Sequence, residues 1–174
     1  MNAKVVVFQG DSITDCTRNR EVENNANDGM GHGYAELVTA RLRATYPQAD
    51  LQCFNRGISG NRVIDLYARW KIDALNLNPD VLSILIGVND TWHEFARQNG
   101  VEVPRYDKFY RMLLDWTLEA RPGIKILLFE PFVLECGVVT PEWVVEIDQR
   151  REAVRKIAQD YKLPLILTQE ILND

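Results

Sequence analysis

Four short polar segments contain the residues of this chain that are best suited to chemistry. They are GDSIT at 10–14, NRGISGN at 55–61, GVND at 87–90 and EPF at 130–132. Ser12 supplies a hydroxyl nucleophile, and Asn89 supplies a side-chain amide donor. Glycines at 57 and 60 let backbone N–H groups approach a ligand closely. A hydroxyl together with donors for an oxyanion is the equipment of an acyl-transfer site.

Each polar segment follows an apolar run that is typical of a β-strand. Five such runs are present: Lys4–Phe8, Asp50–Phe54, Val81–Ile86, Lys125–Phe129 and Leu165–Thr168. Three are nearly continuous, as in strands that helices cover on both faces, whereas DLQCF at 50–54 alternates and suggests a sheet edge.

Helical patterns separate these runs and predict a single α/β domain over residues 1–174. The four predicted helices are Tyr34–Tyr46, Val63–Leu75, Tyr106–Glu119 and Thr140–Tyr161. Alternation of strand and helix favours a mostly parallel five-stranded sheet in a three-layer α/β/α sandwich. In such sheets the ligand site forms beyond the carboxyl ends of the strands, so the four polar segments should meet there.

The composition excludes several classes of function. Twenty Lys and Arg are outnumbered by 25 Asp and Glu, which gives a net charge of −5 and argues against a nucleic-acid surface. The cysteines at 16, 53 and 136 are odd in number and widely spaced, so we expect neither a disulfide framework nor a zinc site. No apolar run is long enough for a membrane span, and we expect a cytoplasmic protein without a cofactor.

The blocks GDSIT, NRGISG and GVND, in this order and each after a strand, resemble the first three signature blocks of the SGNH (GDSL-type) hydrolases. The resemblance covers nearly the whole chain. It implies a flavodoxin-like sandwich and hydrolysis of esters, often short acyl esters of small molecules or carbohydrates. Carried over block by block, it makes Ser12 the nucleophile, Gly57 an oxyanion N–H donor and Asn89 the side-chain donor.

The chain departs from this family in the group that should activate the serine. A serine hydroxyl needs a base, usually a histidine oriented by a carboxylate. The family's last block, Asp-x-x-His, has no match, and the only histidines are His32 and His93. Three explanations stay open: the sequence is part of a longer protein, the protein is a non-catalytic relative that binds a ligand, or His93 substitutes as the base. A missing last helix would also expose apolar surface and favour aggregation or homo-oligomers.

Other polar residues near these segments have simpler interpretations. We expect His32 to be a loop residue, and we expect Trp92 and His93 to contact the substrate. Asp11 is expected to accept backbone N–H bonds in the turn, and Asp90 to cap the loop after the third strand.

A second class of function uses the same first segment differently. Gly10, Ser12 and Thr14 could cradle a phosphate, or Asp11 and Asp90 could form a receiver-like phosphoacceptor site. No GxGxxG or GxxxxGK[ST] motif accompanies them, and the fifth predicted strand has no lysine at its exit.

Overall fold

The computed structural model describes residues 4–22 and 27–173 and contains one five-stranded parallel sheet. The strands are β1 (Lys4–Gly10), β2 (Leu51–Asn55), β3 (Val81–Leu85), β4 (Lys125–Phe129) and β5 (Leu165–Ile166). Their order across the sheet is β2-β1-β3-β4-β5, which is the flavodoxin-like order. In register, Val6 lies opposite Cys53 on one side and opposite Val81 on the other. The predicted fold class is confirmed, and the alternating strand does lie at an edge.

Eight α-helices connect the strands within the described residues. They are α1 (Ser12–Asp15), α2 (Asn27–Met30), α3 (Tyr34–Thr45), α4 (Val63–Asp73), α5 (Val88–Arg97), α6 (Val103–Ala120), α7 (Pro141–Tyr161) and α8 (Thr168–Asn173). A short 3-10 helix, Leu75–Leu77, follows α4. All four predicted helices are present, with boundaries shifted by a few residues.

Three local predictions need correction. The fifth strand ends at Ile166 rather than Thr168, because Thr168 begins α8. The third polar segment is not an open loop, since α5 begins at Val88 and includes Asn89. Residues 15–33 are polar and rich in Asn and Gly, which predicts a long loop, but they contain the short helix α2, and residues 23–26 lie outside the described residues.

Two apolar cores hold the sheet between its helical layers. Alternate residues of β1 point to opposite faces, so Val7 packs in the larger core while Val6 and Phe8 pack in the smaller one. The larger core contains buried side chains of α4, α6 and α7. The smaller core is closed by Met30 and Ala35. This packing fixes the carboxyl ends of β1 and β3, where the polar segments lie.

None of the helices in the described part of the chain is long and apolar enough to cross a membrane.

Candidate active site

Ser12 lies at the carboxyl end of β1, where it is the first residue of α1. Its side chain is exposed, whereas Asp11 and Thr14 on either side of it are buried. Asp11 caps α1, because its Oδ1 accepts a hydrogen bond from the Ile13 N–H at 2.9 Å. The expected turn role of Asp11 is therefore present, and Ser12 is the residue of this turn that faces solvent.

The hydroxyl of Thr14 is not available to a phosphate. Thr14 is fully buried, and its Oγ1 lies 3.0 Å from the hydroxyl of Tyr34, in an O–H···O hydrogen bond. Asp11 is only 1 % exposed, which removes it from the surface where a phosphoacceptor must react. The first polar segment thus presents a single free hydroxyl rather than a phosphate cradle.

The second polar segment packs directly against α1. Asn55, at the end of β2, donates its Nδ2 to the carbonyls of Thr14 and Met30 at 2.5 and 2.8 Å. Its Oδ1 accepts the N–H of Gly57 at 2.9 Å. The predicted role of Gly57 as an oxyanion donor does not fit this structure, because its N–H already has an acceptor inside the protein. Gly57 is instead the residue that lets this segment approach α1.

Gly60, rather than Gly57, has a backbone N–H that is available to a ligand. It is half-buried, its φ is +85°, and an added Cβ would meet no atom within 4 Å. Among the described residues, no acceptor takes its N–H. The preceding N–H, of Ser59, is held by the Asp15 carboxylate at 2.9 Å. Of the two glycines, Gly60 therefore retains a free backbone donor beside open space.

Asn89 stands in the first turn of α5, at the carboxyl end of β3. It is 7 % exposed, and its Nδ2 donates one hydrogen bond to the carbonyl of Asn61 at 3.1 Å. An amide nitrogen carries two protons, so the second remains for a ligand. Because Asn61 follows Gly60, this bond brings the Asn89 amide beside the free N–H. A further bond, from the Ile58 N–H to the Gly10 carbonyl at 3.1 Å, joins the second segment to β1.

Asp90 connects α5 to α4 and does not cap its own loop as expected. Its two carboxylate oxygens accept the N–H of Val63, the first residue of α4, at 3.1 and 3.3 Å. Burial raises the pKa of Asp90 to about 7, against hydrogen bonding from Val63. Burial also raises the pKa of Asp11 to about 7, although its hydrogen bond from Ile13 opposes the change. Burial thus favours the uncharged form of both carboxyls.

The sequence did not reveal the role of Arg150, a residue of α7 whose guanidinium contacts the first turn of α5. Its guanidinium is buried and donates to the carbonyl of Val101 at 2.5 Å and to that of Asp90 at 3.5 Å. A salt bridge to Glu146 offsets part of its charge. Its position could have been found, because Ile147, Arg150 and Val154 share the buried face of α7 at helical spacing.

The two histidines are not arranged as a base for Ser12. His32 is exposed, and its backbone N–H donates to the carbonyl of Cys16, as expected for a loop residue. Burial, and then the charges of Arg97 and Arg62, lower the pKa of His93 below its usual 6.5. No hydrogen bond among the described residues joins either imidazole to Ser12. His93 and Trp92 lie on α5 one turn beyond Asn89.

No metal site is evident in residues 4–22 and 27–173, where no group of three or more His, Cys, Asp or Glu side chains could hold an ion. The candidate site consists of the Ser12 hydroxyl, the N–H of Gly60 and the amide of Asn89. Three strand exits supply these groups.

Comparisons with known proteins identify the family of this chain. The GDSL-like Lipase/Acylhydrolase family matches residues 8–174. The chain is 36 % identical to an acetylxylan esterase from Geobacillus stearothermophilus, over 97 % of this chain and 78 % of that protein. The solved structure of that esterase superposes with a TM-score of 0.86 at 34 % identity, and covers 98 % of this chain and 80 % of its own.

A second solved structure, of a protein from Parabacteroides merdae described as a GDSL-like lipase, has a TM-score of 0.91 at 39 % identity. It covers 96 % of this chain and 78 % of its own. Structures of the Geobacillus esterase also include catalytic mutants in which a serine, an aspartate or a histidine is replaced by alanine.

The chain belongs to the GDSL-like lipase/acylhydrolase family. By this resemblance it is an ester hydrolase, as the initial sequence blocks indicated.

Proposed function

We propose that Ser12 attacks the carbonyl carbon of a short acyl ester, such as an acetyl ester of a carbohydrate. The Oγ–carbon bond forms as the hydroxyl proton passes to a base. The tetrahedral intermediate then expels the alcohol, which takes that proton, and an acyl-enzyme remains. Water hydrolyses the acyl-enzyme, releasing the carboxylic acid and restoring the Ser12 hydroxyl. The acetylxylan esterase activity of a relative 36 % identical supports the acyl and carbohydrate parts of this proposal.

In this proposal the oxyanion accepts hydrogen bonds from the Ser12 N–H, the Gly60 N–H and the Asn89 amide. Gly60 takes the place that the sequence suggested for Gly57, because the Gly57 N–H is already donated to Asn55. Donors that are fixed before the reaction need no reorganisation when charge develops. The bond from Asn89 to Asn61 fixes the amide in this way.

We propose that the base belongs to an Asp-x-x-His segment outside residues 1–174. Residues 1–174 would then form one domain whose active site needs that segment to be complete. His32 is exposed, and His93 has no hydrogen bond to Ser12. Catalytic mutants of the Geobacillus esterase at an aspartate and a histidine support the need for such a pair. We expect residues 1–174 alone to be acylated slowly and to turn over little.

One observation carries the proposal: Ser12 is the exposed hydroxyl of a turn whose other polar side chains, Asp11 and Thr14, are buried and hydrogen-bonded. That arrangement presents one nucleophile at the ligand edge of the sheet.

The experiment is covalent labelling of the 174-residue chain with a fluorophosphonate, followed by intact mass measurement. We expect one adduct on Ser12, no adduct after Ser12→Ala, and a normal adduct after Ser59→Ala, which removes a neighbouring exposed serine. Turnover of p-nitrophenyl acetate should be weak in this chain. It should rise when the segment with Asp-x-x-His is appended from the relative.

Two results would contradict the proposal. Labelling that survives Ser12→Ala would remove Ser12 as the nucleophile. Turnover by residues 1–174 that both Ser12→Ala and His93→Ala abolish would make His93 the base and remove the need for a further segment.

A further inference from the structure

Helix α5 presents a cluster of aromatic rings one turn beyond Asn89. Trp92 and Phe95 of α5 lie against Trp143 of α7, and we call these three side chains the aromatic shelf. The Trp92 and Trp143 rings are 5.0 Å apart and nearly perpendicular, at 81°. The Phe95 and Trp143 rings are stacked at 5.3 Å and 19°. The shelf is thus a shaped surface rather than a scatter of separate side chains.

One ring of the aromatic shelf is buried in the protein, and the other two are open to solvent. Trp143 is 5 % exposed, while Trp92 and Phe95 are 43 % and 45 % exposed. Large apolar rings that stay exposed side by side indicate a binding surface more often than isolated ones do. Because Trp143 fixes the two outer rings, a ligand that stacks on them need not freeze their motion first.

The hollow above the shelf has the size of a small ligand and a polar rim. Its volume is about 480 Å³, and Thr140 and Glu142 line it with the aromatic rings. The Thr140 hydroxyl donates to the Glu142 carboxylate at 2.6 Å, which orients the carboxylate. An exposed carboxylate accepts hydrogen bonds from hydroxyl groups and repels anions. The rim therefore disfavours an anionic ligand and offers an acceptor to a hydroxyl-bearing one, while Ala96 and Val138 add apolar surface to the hollow.

The position of the shelf links it to the ester site. Trp92 follows Asn89 by three residues, so the two side chains share one side of α5 about 4.5 Å apart along its axis. Asn89 faces the second polar segment through its bond to Asn61. A substrate whose ester carbonyl lies at Ser12 can therefore extend its alcohol portion along this side of α5.

We propose that the aromatic shelf is a binding subsite for a sugar ring of the substrate's alcohol portion. The apolar C–H face of a pyranose stacks on the exposed rings of Trp92 and Phe95, and its hydroxyls donate to Glu142. The connection to catalysis rests on the proposed esterase function, but the binding of a saccharide to the shelf does not require it.

Two other occupants fit the shelf less well. A protein partner normally covers about 800 Å² on each side, far more than these few side chains offer. A fatty acyl chain gains most from an enclosed apolar pocket, whereas this hollow is open and has a carboxylate at its rim.

Calorimetric titration of the 174-residue chain with unacetylated xylotetraose tests the shelf without any need for turnover. We expect measurable binding in the wild-type chain and in Ser12→Ala. Trp92→Ala should weaken it roughly tenfold, which corresponds to about 1.4 kcal/mol of binding free energy. Trp92→Phe should retain most of the affinity. Ile72→Ala removes an apolar side chain that is 68 % exposed on α4, and should change nothing. Circular dichroism establishes that each variant is folded.

The outcomes separate this proposal from the proposed function. Binding that depends on Trp92, in a chain that no fluorophosphonate labels and that hydrolyses no p-nitrophenyl acetate even after the Asp-x-x-His segment is appended, would retain the shelf and reject the esterase site. Absence of xylotetraose binding at millimolar concentration would overturn the shelf. So would affinity that Trp92→Ala leaves unchanged, or binding of decanoate that depends on Trp92 where xylotetraose does not bind.

Discussion

Replacing Gly57 by alanine tests whether the second polar segment is positioned by close packing on α1. A Cβ at this position would lie 2.3 Å from the Asp15 nitrogen and 2.7 Å from the Thr14 carbonyl carbon. Both are backbone atoms, so no side chain can rotate away to make room. Either the segment must move away from α1, which would strain the bond between the Gly57 N–H and Asn55, or α1 must move and take Ser12 with it.

The loss of stability expected for Gly57→Ala follows from the contact of the added Cβ with backbone atoms. Overpacking a tight interior typically costs about 1–3 kcal/mol, and backbone contacts this short belong at the upper end. For a chain of this length, about 3 kcal/mol lowers the melting temperature by roughly 6–12 °C. Differential scanning fluorimetry measures this change, and fluorophosphonate labelling should slow as Ser12 is displaced.

Gly60 and Gly123 are the matched controls, because each has a φ of +85° and each would place a Cβ in open space. Alanine there meets only the intrinsic cost of a left-handed backbone, about 1–2 kcal/mol. The two control variants should therefore resemble each other and lose less stability than Gly57→Ala. If Gly57→Ala melts no lower than Gly123→Ala, the close packing of the segment on α1 is not what constrains residue 57.

Two further substitutions test the buried charges behind the site. The pKa of Asp90 is raised from 3.8 to about 7 by burial, so the folded protein binds more protons than the unfolded chain and loses stability as pH rises from about 4 to about 7. Urea denaturation at pH 4.5 and pH 8 should show that Asp90→Asn removes part of this loss, at most about 4 kcal/mol at pH 8; an unchanged pH dependence would contradict the raised pKa. Arg150→Met leaves the Val101 carbonyl without the Arg150 donor, while the Asp90 carbonyl still accepts the Val101 N–H, and the substitution should cost about 3 kcal/mol in the same assay. Arg150→Lys should recover part of that loss, and equal destabilisation by Lys and Met would show that the guanidinium bonds are not what matters.

The sheet could be predicted from the sequence because its signals are local. Continuous apolar runs mark β1, β3 and β4, and the alternation in DLQCF marks the edge strand β2. Helix α5 could not be found in the same way. Its apolar residues Val88, Trp92 and Phe95 recur at helical spacing, but Trp92 and Phe95 are exposed, and the residues that it buries are the polar Asn89, Asp90 and Thr91.

The residues of the candidate site could be proposed from the sequence only in part. Ser12 and Asn89 could be identified as candidates from residue type and from their place after a strand. Which glycine offers a free N–H depends on the Asn55 side chain, which accepts the N–H of Gly57 two residues further along the chain. The Asn-x-Gly spacing permits this turn, but the orientation of the Asn55 amide is fixed by its bonds to the carbonyls of Thr14 and Met30, which the spacing does not reveal. Arg150 was not predicted to be buried, although it shares the apolar face of α7, because a charged residue in a helix is normally assigned to the surface.

The two buried carboxyls connect the stability of the site with its chemistry. A negative charge at Asp11, next to the nucleophile, would oppose the oxyanion that forms during ester cleavage. Burial raises the pKa of both Asp11 and Asp90 to about 7, which keeps them mainly neutral in mildly acidic solution. A neutral Asp11 still accepts the Ile13 N–H and holds the turn. On the proposed mechanism, the desolvation that destabilises the two ionised carboxyls above pH 7 also keeps Asp11 mainly neutral below it, so that no negative charge there opposes the oxyanion on the substrate.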